Sequence, residues 1–244
     1  MFARGEPFPE VEAGGFSRRD GTVQFYDRVR ALASEQSVLV DLGAGRGEWL
    51  ADPVAYRRNL RNLRGSVGEV VGADVDPVVR SNPACDRSVI MPDPVTIPMA
   101  PGSVDLILSD HTFEHVVEPF GLAASMHEVL KVGGWVCART PNRWGYVAAS
   151  ARLIPNSRHA QVLGRAQPSR RPEDVFPTVY RMNTRRDLRR LFPTTQWSHF
   201  VYGHNPEPAY FGSSHRAISI VDAVANRLPM GLSSTWHIFL RKDA

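Results

Sequence analysis

The chain has 244 residues, 43% of them hydrophobic and 22% charged, with a formal net charge of +4. That composition suits one large soluble domain with a sizeable core and excludes disordered or fibrous classes. Two cysteines, Cys85 and Cys137, cannot build a disulfide framework or a thiolate zinc site, and no apolar run nears the ~20 residues that cross a bilayer. No metal and no membrane span are therefore expected, and a cytoplasmic location is the default reading.

In chain order, Val23, Tyr26, Val29 and Leu32 predict a helix within residues 19–36, with Asp20 or Thr22 as its N-cap. "SVLVDL" reads as a buried strand, followed by a glycine loop. "GEWLADPVAYRRNLRNLRG" then reads as helical, with its continuity limited by Pro53. "EVVGADV" and "SVDLILSD" are further strands, "PFGLAASMHEVLK" a helix and "WVCART" a strand. "NTRRDLRRLF" predicts a short helix capped by Asn183 or Thr184, "QWSHFVYG" a strand, "SSHRAISIVDAVANRL" a helix and "TWHIFLRK" a closing strand. Alternation of this kind implies a parallel sheet with helices on both faces. Residues 141–183 differ, being rich in arginine, proline and aromatics, with short helices expected around Tyr146–Leu153 and His159–Gln167. The organisation expected is a single domain over 1–244. Within it lie a capping segment (1–36), a cofactor-binding core (37–140), a substrate-binding insertion (141–183) and the rest of the sheet (184–244).

"VLVDLGAGRGEWL" carries the chemistry. In an open α/β sheet, ligands lie beyond the carboxyl ends of the strands at the switch point. A phosphate loop would need Gly-Lys-Ser/Thr, and a dinucleotide fingerprint would need glycine where Glu48 stands. The acid before the loop, Asp41, suits an ammonium group better than a pyrophosphate. Asp74, ending "VVGAD", sits where such folds bind ribose hydroxyls, and Asp93 opens a loop able to cover a flat base.

These segments resemble the class I S-adenosylmethionine-dependent methyltransferases, in their small-molecule "type 11" branch. "VLVDLGAGRGEWL" is similar to the first motif and "VVGADVDP" to the second. "PDPVTIPMAPGSVDLILSDHTFEHV" and "HEVLKVGGWVCARTPNR" are similar to the third motif through the fifth strand. The likeness covers roughly residues 36–143. It implies a doubly wound, Rossmann-like sheet of seven strands, mostly parallel with an antiparallel last strand, and an insertion after the fifth. It also implies S-adenosyl-L-methionine as cofactor. Asp41 would hold the methionine ammonium, with Gly43, Ala44, Gly45 and Gly47 passing beneath the amino-acid portion. Asp74 would take the ribose hydroxyls, with Val75 against the adenine. Asp93 would take the adenine amino group, flanked by Pro94, and Ser109 and Asp110 would lie near the sulfonium. The long spacing from Asp41 to Asp74 is attributed to an extended helix through "YRRNLRNLRG".

Methyl transfer from a sulfonium needs an aligned nucleophile and sometimes a base. His111 and His115 are the candidate bases, with loop orientation the alternative for His115 and Glu114. His159, His204 and His215 are candidates for a substrate pocket; His199 and His237 read as structural, and His127 as a helix-surface residue. Acceptor contacts are expected from Tyr26, Arg143, Trp144, Tyr180 and Arg181, with further arginines at 152, 158, 165, 170 and 171 and an aromatic at Phe176. An anionic, sugar-containing or aromatic small molecule methylated at oxygen fits that set. Alternatives are an RNA methyltransferase, disfavoured because no RNA-binding module is present, an inactive cofactor-binding partner subunit and, last, a dinucleotide oxidoreductase. The sequence leaves the oligomeric state open.

Overall fold

The computed structural model describes residues 8–146, 177–207, 215–225 and 227–244. The helices expected around Tyr146–Leu153 and His159–Gln167, with His159, Phe176 and the arginines at 152–171, lie outside the described residues apart from Tyr146 itself. The same is true of the side chain of His215.

Seven strands form one sheet: β1 (Val38–Leu42), β2 (Glu69–Asp74), β3 (Arg87–Ile90), β4 (Val104–Asp110), β5 (Leu130–Pro141), β6 (Trp197–His204) and β7 (Thr235–Lys242). Their order is β3-β2-β1-β4-β5-β7-β6, and β7 runs antiparallel to both its neighbours. The chain leaves β1 for β2 on one side and returns to β4 on the other, so the switch point falls at the carboxyl end of β1.

Side chains alternate across the sheet and divide the core. Leu39, Leu106, Leu108, Cys137 and Phe239 face helices α1 (Gly21–Leu32) and α2 (Ala55–Arg61). Val40, Ile107, Val136, Ala138 and Ile238 pack on the opposite face with α3 (Pro119–Val129) and α4 (Arg185–Leu191). A further helix, α5 (His215–Ala225), precedes β7. The α1 N-cap is Asp20, whose carboxylate accepts from Thr22 N and Val23 N at 2.8 and 3.0 Å. Thr184 caps α4 by accepting from Asp187 N.

One expectation is corrected. The stretch after the glycine loop is not an extended helix: a 3₁₀ turn over Glu48–Ala51 ends at Asp52, and α2 begins only at Ala55. Pro53 removes an amide donor and disfavours helix at Asp52, which divides the segment. The spacing to Asp74 is filled by this broken helix and the turns after it. In addition, β3 over "RSVI" is a four-residue edge strand that its mixed polarity conceals.

Candidate active site

A crevice of about 240 Å³ opens at the carboxyl ends of β1, β2 and β4 and is lined by Asp41, Gly43–Gly47, Trp49, Arg61, Asp74, Asp110 and Tyr26, among others. The glycine loop forms its floor. Gly43, Gly45 and Gly47 have φ of 75°, 50° and 77°, in the left-handed region. Their surroundings separate their roles. A Cβ on Gly43 would stand 2.3 Å from Thr112 Oγ1, and one on Gly47 2.6 Å from Asn82 Oδ1. A Cβ on Gly45 would meet nothing within 4 Å. Packing therefore dictates two of the glycines, while the third bares its backbone to open space.

Asp74 stabilises that floor. Its Oδ2 accepts from Gly45 N at 2.9 Å and its Oδ1 from Asp76 N at 2.9 Å. Beneath the loop, Asn82 Nδ2 donates to the Ala44 carbonyl at 3.0 Å.

Asp41, on the α1-facing side of β1, differs from the other acids. Its side chain makes no hydrogen bond or ion pair with another described residue and lines the crevice. Burial pushes its pKa up to about 7, with Asp110 and Asp74 adding repulsion and Arg61 offsetting part of it. A carboxylate so placed calls for a cation.

Asp110 is the opposite case. Across the β4–β5 pair it lies in register with Arg139, whose Nε and Nη2 grip its two oxygens at 2.7 and 2.8 Å. Tyr26 Oη donates to Asp110 Oδ2 at 3.0 Å, and Arg61 Nη2 approaches the same oxygen at 3.2 Å. Burial opposes ionisation, but Arg139 and then Arg61 hold the Asp110 carboxyl well below the usual carboxylate range. Burial and the Asp110 charge push the Tyr26 phenol well up. Asp110 is thus a satisfied hub joining α1, α2 and β5.

His111 follows with φ 63°, unusual for a residue with a side chain. Its amide donates to the Arg139 carbonyl at 2.8 Å. The half-exposed ring sits between two carboxylates, Nδ1 3.3 Å from Glu114 Oε1 and Nε2 3.8 Å from Asp110 Oδ1. Glu114 is buried and accepts from Thr140 Oγ1 at 2.8 Å, which in turn receives Asn183 Nδ2 at 2.6 Å. Burial opposes the charge of Glu114, yet its bonds to His111 and Thr140 keep its carboxyl below the ordinary value. His115 instead meets the Pro177 carbonyl through Nδ1 at 3.0 Å, a contact to backbone that orients a loop.

The structure thus gathers Asp41, the glycine loop, Asp74, Asp110 and Tyr26 in one crevice. Four expected cofactor contacts lie outside its lining. Ser109 alternates to the opposite face of the sheet from Asp110, where its hydroxyl is buried without a hydrogen-bond partner. Val75 is exposed. Asp93 and Pro94 are exposed too, and the Asp93 carboxylate caps its own turn, accepting from Val95 N, Thr96 N and Thr96 Oγ1. The crevice wall past Asp74 is made by Asp76 and Val78 instead.

The expected acceptor contacts other than Tyr26 lie outside the crevice lining. Arg143 lies over the exposed Trp144 ring, 5.4 Å from its centroid. Tyr180, at φ 52°, donates its amide to the Glu114 carbonyl at 3.2 Å, and Arg181 bonds the Val117 carbonyl. His204 stacks on His237 with ring centroids 4.7 Å apart and bonds the Arg19 carbonyl. Burial pushes the His237 pKa down to about 2, helped by His204 and Arg139. His199 bonds the Phe192 carbonyl, and His127 is half-buried against Trp197. Among the described residues, no cluster of three or more His, Cys, Asp or Glu is placed to hold a metal ion.

Sequence reasoning missed Arg61, Trp49 and Arg139. For Arg139 a signal existed: an arginine inside the apolar strand "WVCART", on the same face as buried Cys137. For Arg61 none did, since it is one of four arginines between positions 57 and 64.

A family model described as a methyltransferase domain matches residues 18–198. The chain belongs to this methyltransferase domain family. Solved methyltransferases share its fold. A chain from the complex of the Haloferax volcanii Trm112 methyltransferase activator with a methyltransferase is 16% identical, with a TM-score of 0.55, covering 96% of this chain and 92% of that one. The geranyl diphosphate C-methyltransferase of Streptomyces coelicolor A3(2), solved with S-adenosyl-L-homocysteine, is 15% identical at a TM-score of 0.52, covering 91% and 77%. A SAM-dependent methyltransferase from Archaeoglobus fulgidus is 15% identical at 0.52, covering 90% and 97%. At these identities the likeness is one of fold. No curated protein matches the sequence. Among the described residues of this methyltransferase, no helix is long and apolar enough to cross a membrane.

Proposed function

We propose that this methyltransferase transfers the methyl group of S-adenosyl-L-methionine to oxygen on an anionic, sugar-containing or aromatic small molecule. The observation that carries the reading is Asp41, a carboxylate left without a partner beside a loop whose Gly45 faces open space. The residues fit the cofactor's amino-acid end: an ammonium would satisfy Asp41, and the bare backbone at Gly45 admits close approach. Asp74, with one lone pair of Oδ2 committed to Gly45 N and one of Oδ1 to Asp76 N, keeps capacity for ribose hydroxyls. The nucleoside would run along Asp76 and Val78.

When bound, the cofactor supplies a methyl group on a positively charged sulfur. The protein's part is alignment and proton removal. Tyr26 on α1 and the Arg139–Asp110 hub fix the crevice's inner wall, and alignment of this kind lowers barriers by several kcal/mol. His111, set by Glu114, would receive the proton of the acceptor hydroxyl. Arg143, Trp144, Tyr180 and Arg181 are of residue types that suit an acceptor with a charged group and a ring.

Calorimetry tests the reading. Wild-type protein should bind S-adenosylhomocysteine and not NAD, and Asp74→Ala should weaken that binding at least about tenfold, because it removes both ribose acceptors and the Gly45 anchor. Binding of NAD alone would overturn it. For the base, His111→Asn tolerates the left-handed backbone and removes the proton acceptor. It should lower turnover about 10²-fold or more on an acceptor found by metabolite screening, with S-adenosylhomocysteine affinity unchanged. Unaltered turnover would remove His111 from that role.

A further inference from the structure

Arg61 reaches the crevice from the end of α2, and its long contact with Asp110 does not by itself account for its position. Its guanidinium is held between two aromatic faces, 5.5 Å from the Tyr26 centroid and 5.4 Å from that of Trp49. Its side chain is mostly buried, and its Nε is buried with no hydrogen-bond partner. Service as counter-ion to Asp110 does not explain it. Arg139 already grips both Asp110 oxygens at 2.7 and 2.8 Å, Tyr26 adds a third bond, and the Arg61 contact is longest at 3.2 Å. A guanidinium presents a planar fork of five donors that matches a carboxylate, and the aromatic clamp holds that fork in one orientation.

The same crevice thus offers an acid without a partner, Asp41, and a fork with unfilled donors, Arg61. The ligand chemistry that satisfies both is an α-amino acid zwitterion. Resting on the methyltransferase reading above, we infer that Arg61 receives the α-carboxylate of the cofactor's methionine end while Asp41 takes its ammonium. Arg61 is the last residue of α2, and from that helix end it lines the crevice together with Asp41.

The test compares S-adenosylhomocysteine with its decarboxylated analogue, which keeps the ammonium, the thioether and the nucleoside. Calorimetry on the full chain should show wild type preferring S-adenosylhomocysteine by roughly 10- to 100-fold, the range of a charge-assisted bidentate bond. Arg61→Gln should shrink the preference to within about threefold by weakening S-adenosylhomocysteine alone, and Arg61→Lys, which keeps charge without the fork, should fall between. A preference that persists in Arg61→Gln would overturn the assignment. So would equal weakening of both ligands, with an unchanged melting temperature showing that the variant folds. Wild type binding neither ligand would overturn this inference together with the reading beneath it, whereas failure confined to Arg61 leaves that reading standing.

Discussion

Asp41→Asn should raise the melting temperature of the ligand-free protein at pH 8 by roughly 4–8 °C, while weakening S-adenosylhomocysteine binding at least about tenfold. The two effects have one cause. In the folded protein the Asp41 pKa is pushed from 3.8 up to about 7, chiefly by burial and then by Asp110 and Asp74. A carboxyl whose pKa is raised on folding holds its proton more tightly in the native state, so ionisation costs stability. That cost is absent below about pH 4, grows as pH rises and is fully present above about pH 7. An asparagine never ionises, so the gap between variant and wild type should open across that window and stay constant above it. For a side chain partly open to solvent the cost is about 2 kcal/mol. Thermal melts from pH 4 to 8 read it, and parallel curves for the two proteins would sink the account. On the proposed reading the site stores instability in the free enzyme that a ligand's ammonium would relieve, the usual trade between stability and function.

Arg139→Met should lower the melting temperature by roughly 6–20 °C, the other large effect, and of opposite sign. Removing one partner of a buried pair strands the other charge and costs ~3–5 kcal/mol, or about 2–4 °C per kcal/mol in a chain of this size. Asp110 has only 9% of its side chain exposed and Arg139 only 10%, and Arg61 at 3.2 Å is a poor substitute. Adding Asp110→Asn to Arg139→Met should recover part of the loss, because a neutral amide replaces the abandoned charge. The pH dependence also inverts. Asp110's carboxyl is held far below its unfolded value, so its contribution is complete above about pH 4 and is lost only as pH falls through that depressed value. Mild acid should therefore leave the hub intact. Additive losses in the double variant would show that the two residues do not act as a pair.

Local patterning made most of the fold legible. "TWHIFLRK" reads as a strand because β-favouring apolar residues, Trp236 and Ile238–Leu240, make up its centre, and it is β7 over Thr235–Lys242, buried on both faces. Asp20 reads as an N-cap because an acid before an amphipathic run can satisfy orphan amides, and it does so twice. β3 was hidden because "RSVI" is short and half-exposed at the sheet's edge, with no pattern to betray it. The path after Pro53 was legible only as a limit, since proline says where a helix fails and not where the next one starts.

The same division runs through the site. Glycine spacing and acids at strand ends are properties of a contiguous stretch, so Asp41, Gly43–Gly47 and Asp74 could be found by reading along the chain. Which acid would be free and which neutralised could not, because that depends on charges brought from far away. Arg139 and Arg61 reach Asp110 across 29 and 49 positions of sequence. Sheet register puts the first there, and a helix broken at proline the second. Asp93 adds a further case: its position in the motif suggests a ligand contact, and only the structure shows that its carboxylate also accepts from Val95 N, Thr96 N and Thr96 Oγ1 of its own turn. The sequence by itself determined six of the seven strands, the loop and the family, because backbone propensity and side-chain periodicity act between near neighbours. Only the tertiary structure decided the electrostatics of the crevice, because Coulomb interactions and desolvation depend on distance in space.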